Sequence, residues 1–125
     1  MTKKILFLGA LPLLLAGCST TITNLTPGQV NRNTTGMYAF EVAWDSTHQS
    51  VVNGSVQPSV FVEWQNYPMQ PTPRLKNRWE ALVPVPANQE YVNYHYKFDY
   101  QYRTIPSVRS NSINSKPYQL HIINK

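Results

Sequence analysis

Residues 92–102 read Val92-Asn93-Tyr94-His95-Tyr96-Lys97-Phe98-Asp99-Tyr100-Gln101-Tyr102, with apolar or aromatic side chains at every even position and polar ones at every odd position. Successive side chains of a β-strand point to opposite faces, so this alternation predicts one long strand with an aromatic face turned inward and a wetted face turned out. A helix would scatter the same rings around its whole circumference.

The pattern recurs upstream. Met37 to Trp44 places Tyr38, Phe40, Val42 and Trp44 on one face, and Ser59 to Trp64 does the same with Val60, Val62 and Trp64. Arg74 to Val83 puts Leu75, Trp79, Ala81 and Val83 on one parity, with Arg74, Lys76, Arg78 and Glu80 on the other. Thr20 to Thr26 alternates loosely, Ile22 and Leu25 being its inward candidates, and stops at Pro27-Gly28; Pro117 to Ile123 supplies a last strand through Tyr118, Leu120 and Ile122.

Between these runs, Val30 to Gly36, Asp45 to Gln57 and Ser107 to Lys116 are polar and read as loops, with Asn53-Gly54 as a turn signal. Pro68, Pro71 and Pro73 fall within six residues, which no central strand accommodates, so Tyr67 to Pro73 is a crossing loop or a sheet edge. Ten prolines spread through a chain rich in Tyr, Val and Thr oppose helices and favour short strands joined by stiff turns.

Six or seven short strands without helical periodicity predict an all-β protein, two antiparallel sheets packed face to face. From Arg78 through Tyr102, a Trp-bearing strand, a corner bounded by Pro84 and Pro86 and a Tyr-rich strand follow one another. That succession resembles an immunoglobulin-like sandwich of about seven strands, and its disulfide-free fibronectin-like and early-set members in particular. The resemblance implies a tyrosine corner, for which Tyr91, Tyr94 and Tyr96 are the candidates. The expected organisation is a leader over 1–17, a first strand and loop over 18–36, and the sandwich over 37–125.

The leader follows from the N-terminus. Lys3 and Lys4 precede an apolar run from Ile5 to Leu15, too short for a membrane helix, which needs about 20 residues, and of the length of a secretory h-region. Leu15-Ala16-Gly17-Cys18 resembles the lipobox of bacterial lipoproteins at every position. The resemblance implies diacylglycerol on the Cys18 thiol, cleavage ahead of it, and a fatty acid on the new amine. A thiolate is the fitting nucleophile for that transfer, and several acyl chains hold a protein where one binds marginally. Cys18 is the only cysteine, so no internal disulfide competes for it. The implied location is the cell envelope, with membrane lipid as the partner of the anchor. Ser19 in place of Asp implies the outer membrane if the host is Gram-negative.

Cleavage leaves 108 of the 125 residues, a single-domain length, and with Lys3 and Lys4 gone the 11 basic residues fall to nine against six acidic ones. So slight an excess is a poor nucleic-acid signal, and no nucleic-acid partner is expected. The six carboxylates are scattered, mostly at outward strand positions, and no Gly-x-Ser-x-Gly elbow exists, so a non-enzymatic protein is expected. His48, His95 and His121 lack metal-ligand spacing, so no metal and no cofactor beyond the lipid is expected.

Candidate ligand residues are aromatic or basic. Trp44, Trp64 and Trp79 share faces with aliphatic residues and read as core. Tyr67 lies in the Pro-rich loop, and Tyr100 and Tyr102 end the long strand; together they would form an exposed aromatic surface suited to sugar rings, or else the plain rim of the core. Arg74, Lys76 and Arg78, alternating along a strand, would meet phosphate or carboxylate groups, or protect an edge strand. The functional expectation is a membrane-anchored interaction or structural module. Its alternatives are a polysaccharide-binding module and an accessory subunit offering a sheet edge to a protein partner.

Overall fold

The computed structural model describes residues 20–46 and 50–124. The leader, Cys18, Ser19 and His48 lie outside the described residues. Ten strands and no helix occur among the described residues: β1 (Thr20–Asn24), β2 (Gln29–Asn31), β3 (Met37–Ser46), β4 (Gln57–Val62), β5 (Gln65–Pro68), β6 (Gln70–Pro71), β7 (Arg78–Pro84), β8 (Tyr91–Arg103), β9 (Val108–Asn114) and β10 (Tyr118–Ile123).

They form two packed sheets. One has the order β1-β3-β7-β6, the other β2-β10-β8-β4-β5, with β9 added beside β8. This β-sandwich has the strand order of an immunoglobulin-like fold, in which the chain passes repeatedly from one sheet to the other. One pairing departs from the expected antiparallel plan: β2 runs parallel to β10, with Val30 opposite Ile122. Residues 29–31 therefore belong to the sandwich, although their polarity reads as loop. The N-terminal segment spans both sheets, since β1 pairs with β3 and β2 with β10.

The alternating residues do what their period requires. Tyr38, Phe40, Val42 and Trp44 of β3 meet Val92, Tyr94, Tyr96 and Phe98 of β8 in the core, all buried. The rings interlock: Phe40 meets Tyr94 edge to face at 4.8 Å, and Trp44 lies tilted against Phe98 at 4.6 Å. Each such ring or aliphatic side chain contributes about 1.5–3 kcal/mol on burial, and edge-on aromatic pairs add to that. Because Phe40 meets Tyr94 and Trp44 meets Phe98, β3 and β8 run in the same sense. Met37 and Val92 mark one end of the sandwich; Ser46 and Tyr102 mark the other.

Several expectations are corrected. Residues 108–114, read as loop, form β9, a hairpin partner that carries β8 through Arg103 opposite Val108. Strand β7 begins at Arg78, four residues later than the alternation suggests, because Arg74 (φ 67) and Asn77 (φ 58) are left-handed. Leu75 is consequently exposed, not core. No tyrosine corner forms: the Tyr96 hydroxyl reaches a backbone carbonyl, but that of Glu41 on the facing sheet, at 3.0 Å. The Pro-rich segment is both of the things expected of it. Pro68 ends edge strand β5, buried Met69 carries the chain across, and Pro71 ends β6 on the other sheet.

Candidate functional site

Strand β4 ends at Val62, which pairs with Gln65, so Glu63 and Trp64 make a two-residue hairpin turn. Such turns need left-handed backbone, normally from Gly or Asn. Here Glu63 supplies it, with φ 55, and its bonds hold it there. Its N–H donates to the Asn93 carbonyl at 2.9 Å, while its carboxylate accepts from the Asn93 N–H at 2.9 Å and from Gln89 Nε2 at 3.1 Å. The turn is thereby locked onto β8, and Trp64 projects from it 95% exposed. Parity alone places Trp64 in the core, but the strand stops two residues short of it. The exposed indole is thus carried by a backbone position that the surrounding bonds hold in place.

Beside it, between the sheets at the Met37 end, lies an open groove of about 580 Å³. Val62, Val85 and Val92 line it with Tyr67, and Glu63 and Gln65 are polar members. Its lining is mostly apolar with polar groups at the margin, the mixture found in ligand sites.

The three tyrosines singled out from sequence are not gathered in one place. Tyr67 sits on β5 opposite Val60, packs against the core, and donates its hydroxyl to Gln65 Oε1 at 3.0 Å. Tyr100 and Tyr102 are at the far end, their rings 6.3 Å apart, on a strand fully partnered by β9. They line a hollow of only about 130 Å³ with Asn111, below the size of ordinary ligand pockets. A larger polar groove of about 480 Å³ adjoins Tyr100, with Gln57, Asp99, Gln101 and Asn111.

The basic comb does not form either. Arg74 and Lys76 are exposed on the loop before β7, whereas Arg78 begins β7 and donates to Glu41 at 2.8 Å. Strand β7 is flanked by β3 and β6, so these residues guard no open edge. Arg78 acts locally. Glu41 and Glu80 stand directly opposite each other on β3 and β7, and the guanidinium offsets their repulsion.

The two described histidines are engaged in ring contacts. His95 stacks on Phe61 at 5.0 Å and His121 on Tyr91 at 4.4 Å, the latter also 2.9 Å from Glu90. Tyr91 opposes His121 while His95 lies four residues along β8, so the two histidines are not paired. No metal-holding cluster of three or more His, Cys, Asp or Glu occurs among the described residues.

Within the core, one chain of hydroxyls and amides bridges the sheets. The Glu41 N–H donates to Thr26 Oγ1 (2.9 Å), Thr26 donates to the Tyr96 hydroxyl (2.8 Å), Tyr96 donates to Asn24 Oδ1 (2.6 Å), and Asn24 Nδ2 donates to the Tyr94 hydroxyl (2.9 Å). This assignment uses each proton once. Burial pushes the phenols of Tyr96 and Tyr94 above their ordinary range, which favours the neutral hydroxyl in both.

Sequence reasoning misses Trp64 because its turn contains no Gly or Asn; the one available signal is the Pro-rich return that follows. The chain matches no protein-family model and no curated protein.

Proposed function

We propose that this protein is an exported lipoprotein, lipidated at Cys18 and held at an envelope membrane, whose sandwich is a non-catalytic interaction module. One observation carries the reading. The chain joins the sandwich at Thr20, opposite Ser46, while the pinned Trp64 turn and its groove lie at the other end. Thr20 follows Cys18 by only two residues, so a lipid there would leave little slack, and Trp64 would face away from the bilayer. Exposed tryptophans in rigid settings are the side chains that anchor protein contacts.

Intact-mass measurement tests the anchor. The expected species begins at Cys18 and carries diacylglycerol and acyl mass, absent in Cys18→Ser; an unmodified Cys18 overturns the lipoprotein reading. A photo-crosslinking residue at position 64 tests the contact in intact membranes. Discrete adducts at 64 but not at exposed Leu75 are expected, and equal yields at the two positions overturn it.

A polysaccharide-binding reading has separate support in the polar groove beside Tyr100, where a ring borders Gln57, Gln101 and Asn111. Retardation on polysaccharide affinity gels that Tyr100→Ala abolishes would favour it over the protein-contact reading.

A further inference from the structure

The β8–β9 hairpin continues past the level of Ser46, the last residue of β3. Its root is held on both sides, by β9 and by the Val51 bridge to Tyr102. Its tip is closed where the Thr104 N–H donates to the Ser107 carbonyl at 2.9 Å and the Thr104 hydroxyl to the same oxygen at 2.6 Å. This ordered tip nonetheless presents Ile105 to solvent at 98% and Val108 at 51% exposure. Arg103 and Arg109, both exposed, flank the two aliphatic side chains. No Asp or Glu occurs in the chain after Asp99. Asp99 itself is set back toward the body, engaged with Ser112 and 3.7 Å from Lys97, and Asp45 lies on the other sheet.

We infer that this tip seats on an anionic phospholipid surface, Ile105 entering the acyl boundary, Val108 resting at its border, and Arg103 and Arg109 meeting the phosphates. The inference rests on the anchor reading above and adds to it a second contact, which fixes how the domain stands on the bilayer.

Two observations select lipid as the occupant. Along the tip Ile105 stands at the extremity, Val108 and Arg103 face each other one step behind it, and Arg109 follows, a graded order that matches the depth profile of a membrane interface, where long basic side chains reach up to the phosphates. The reach also agrees. Tyr100 is level with Trp44, their rings 5.3 Å apart. From there Ile105 lies five residues on, a reach of at most about 16 Å at strand rise. Thr20 is level with Ser46, two residues past Trp44, and Cys18 two residues beyond Thr20; four residues allow up to about 14 Å. One plane can therefore meet both the lipidated cysteine and the tip.

The test uses the lipidated full-length protein with Ile105→Cys or, as control, Trp64→Cys, each labelled with an environment-sensitive dye. The proteins are reconstituted in phosphatidylcholine vesicles with or without phosphatidylglycerol. A blue-shifted, brightened probe at 105 in the anionic vesicles, with the probe at 64 unchanged, is expected. Adding Arg103→Gln and Arg109→Gln should lower the inserted-to-free ratio of the tip about thirtyfold, at the usual worth of a basic residue near an anionic surface. A water-like probe at 105, equal shifts in both vesicle types, or equal shifts at 105 and 64 overturns the inference. Intact mass separates the two failures. An unmodified Cys18 removes the anchor reading and this one with it, whereas a lipidated chain with a water-like probe at 105 removes this one alone.

Discussion

Replacing Tyr96 by Phe deletes a single hydroxyl from the centre of the sandwich, and the structure sets the size of the loss. Tyr96 is fully buried, and its hydroxyl accepts from Thr26 and donates to Asn24. Neither partner is wholly orphaned by the change. Thr26 Oγ1 can turn to the Glu41 carbonyl at 3.3 Å, and Asn24 Oδ1 keeps the Thr26 N–H at 3.2 Å. The cost is therefore that of bonds lost without a bare buried charge, about 1.5 kcal/mol. That lowers the melting temperature by about 7 °C in a domain of this length. Thr26→Val costs more, about 2–3 kcal/mol, because it also strips the Glu41 N–H of its acceptor. In the double variant the two losses should overlap by about 1 kcal/mol, as residues in one network do. Urea denaturation with an unchanged m-value measures all four corners of the cycle. A Tyr96→Phe protein as stable as the parent, or strictly additive losses, would refute the relay.

Two further outcomes follow from buried phenols and paired carboxylates. The folded state holds the Tyr96 and Tyr94 protons above the ordinary 10.0, chiefly by desolvation, while the unfolded chain releases them there. The unfolded state then binds fewer protons, so stability falls as pH climbs past about 10, by at most about 1.4 kcal/mol per pH unit for Tyr96. Tyr96→Phe should flatten that decline in urea titrations, and an unaltered slope would contradict it. Arg78→Met exposes the Glu41–Glu80 repulsion and should cost about 1 kcal/mol or less, since the pair is partly solvated. The loss should shrink in high salt; a salt-independent loss would assign it to packing instead.

The β-sandwich was legible because aromatic alternation is a strong signal: Tyr38 to Trp44 and Val92 to Phe98 face inward as their spacing requires. What escaped has physical causes. Parity reports facing only while a strand continues, and it carries Trp64 into the core because nothing in Glu63-Trp64 announces a turn. The same fault extends β7 back to Arg74, since Arg74 and Asn77 adopt a left-handed backbone that their side chains do not demand. Strand β9 is invisible in the sequence because Val108 to Asn114 is mostly polar and exposed, so its extension comes from the ladder to β8 and not from burial. Asn24 and Thr26 share the inward parity of Ile22, yet polarity disguises them as surface; their partners are tyrosine hydroxyls some 70 residues away. The Trp64 and Ile105 turns are unreadable for a common reason, exposure being a property of where a strand stops.

The division of the N-terminal segment between both sheets has a mechanical meaning. A pull on the chain ahead of Thr20, directed along the strand axis, loads the whole β1–β3 ladder at once, from Thr20 opposite Ser46 to Asn24 opposite Val42. Bonds stressed together in shear resist far more force than bonds peeled one by one. Behind them, β2 grips the other sheet through β10, so traction is shared by both layers before either can slide.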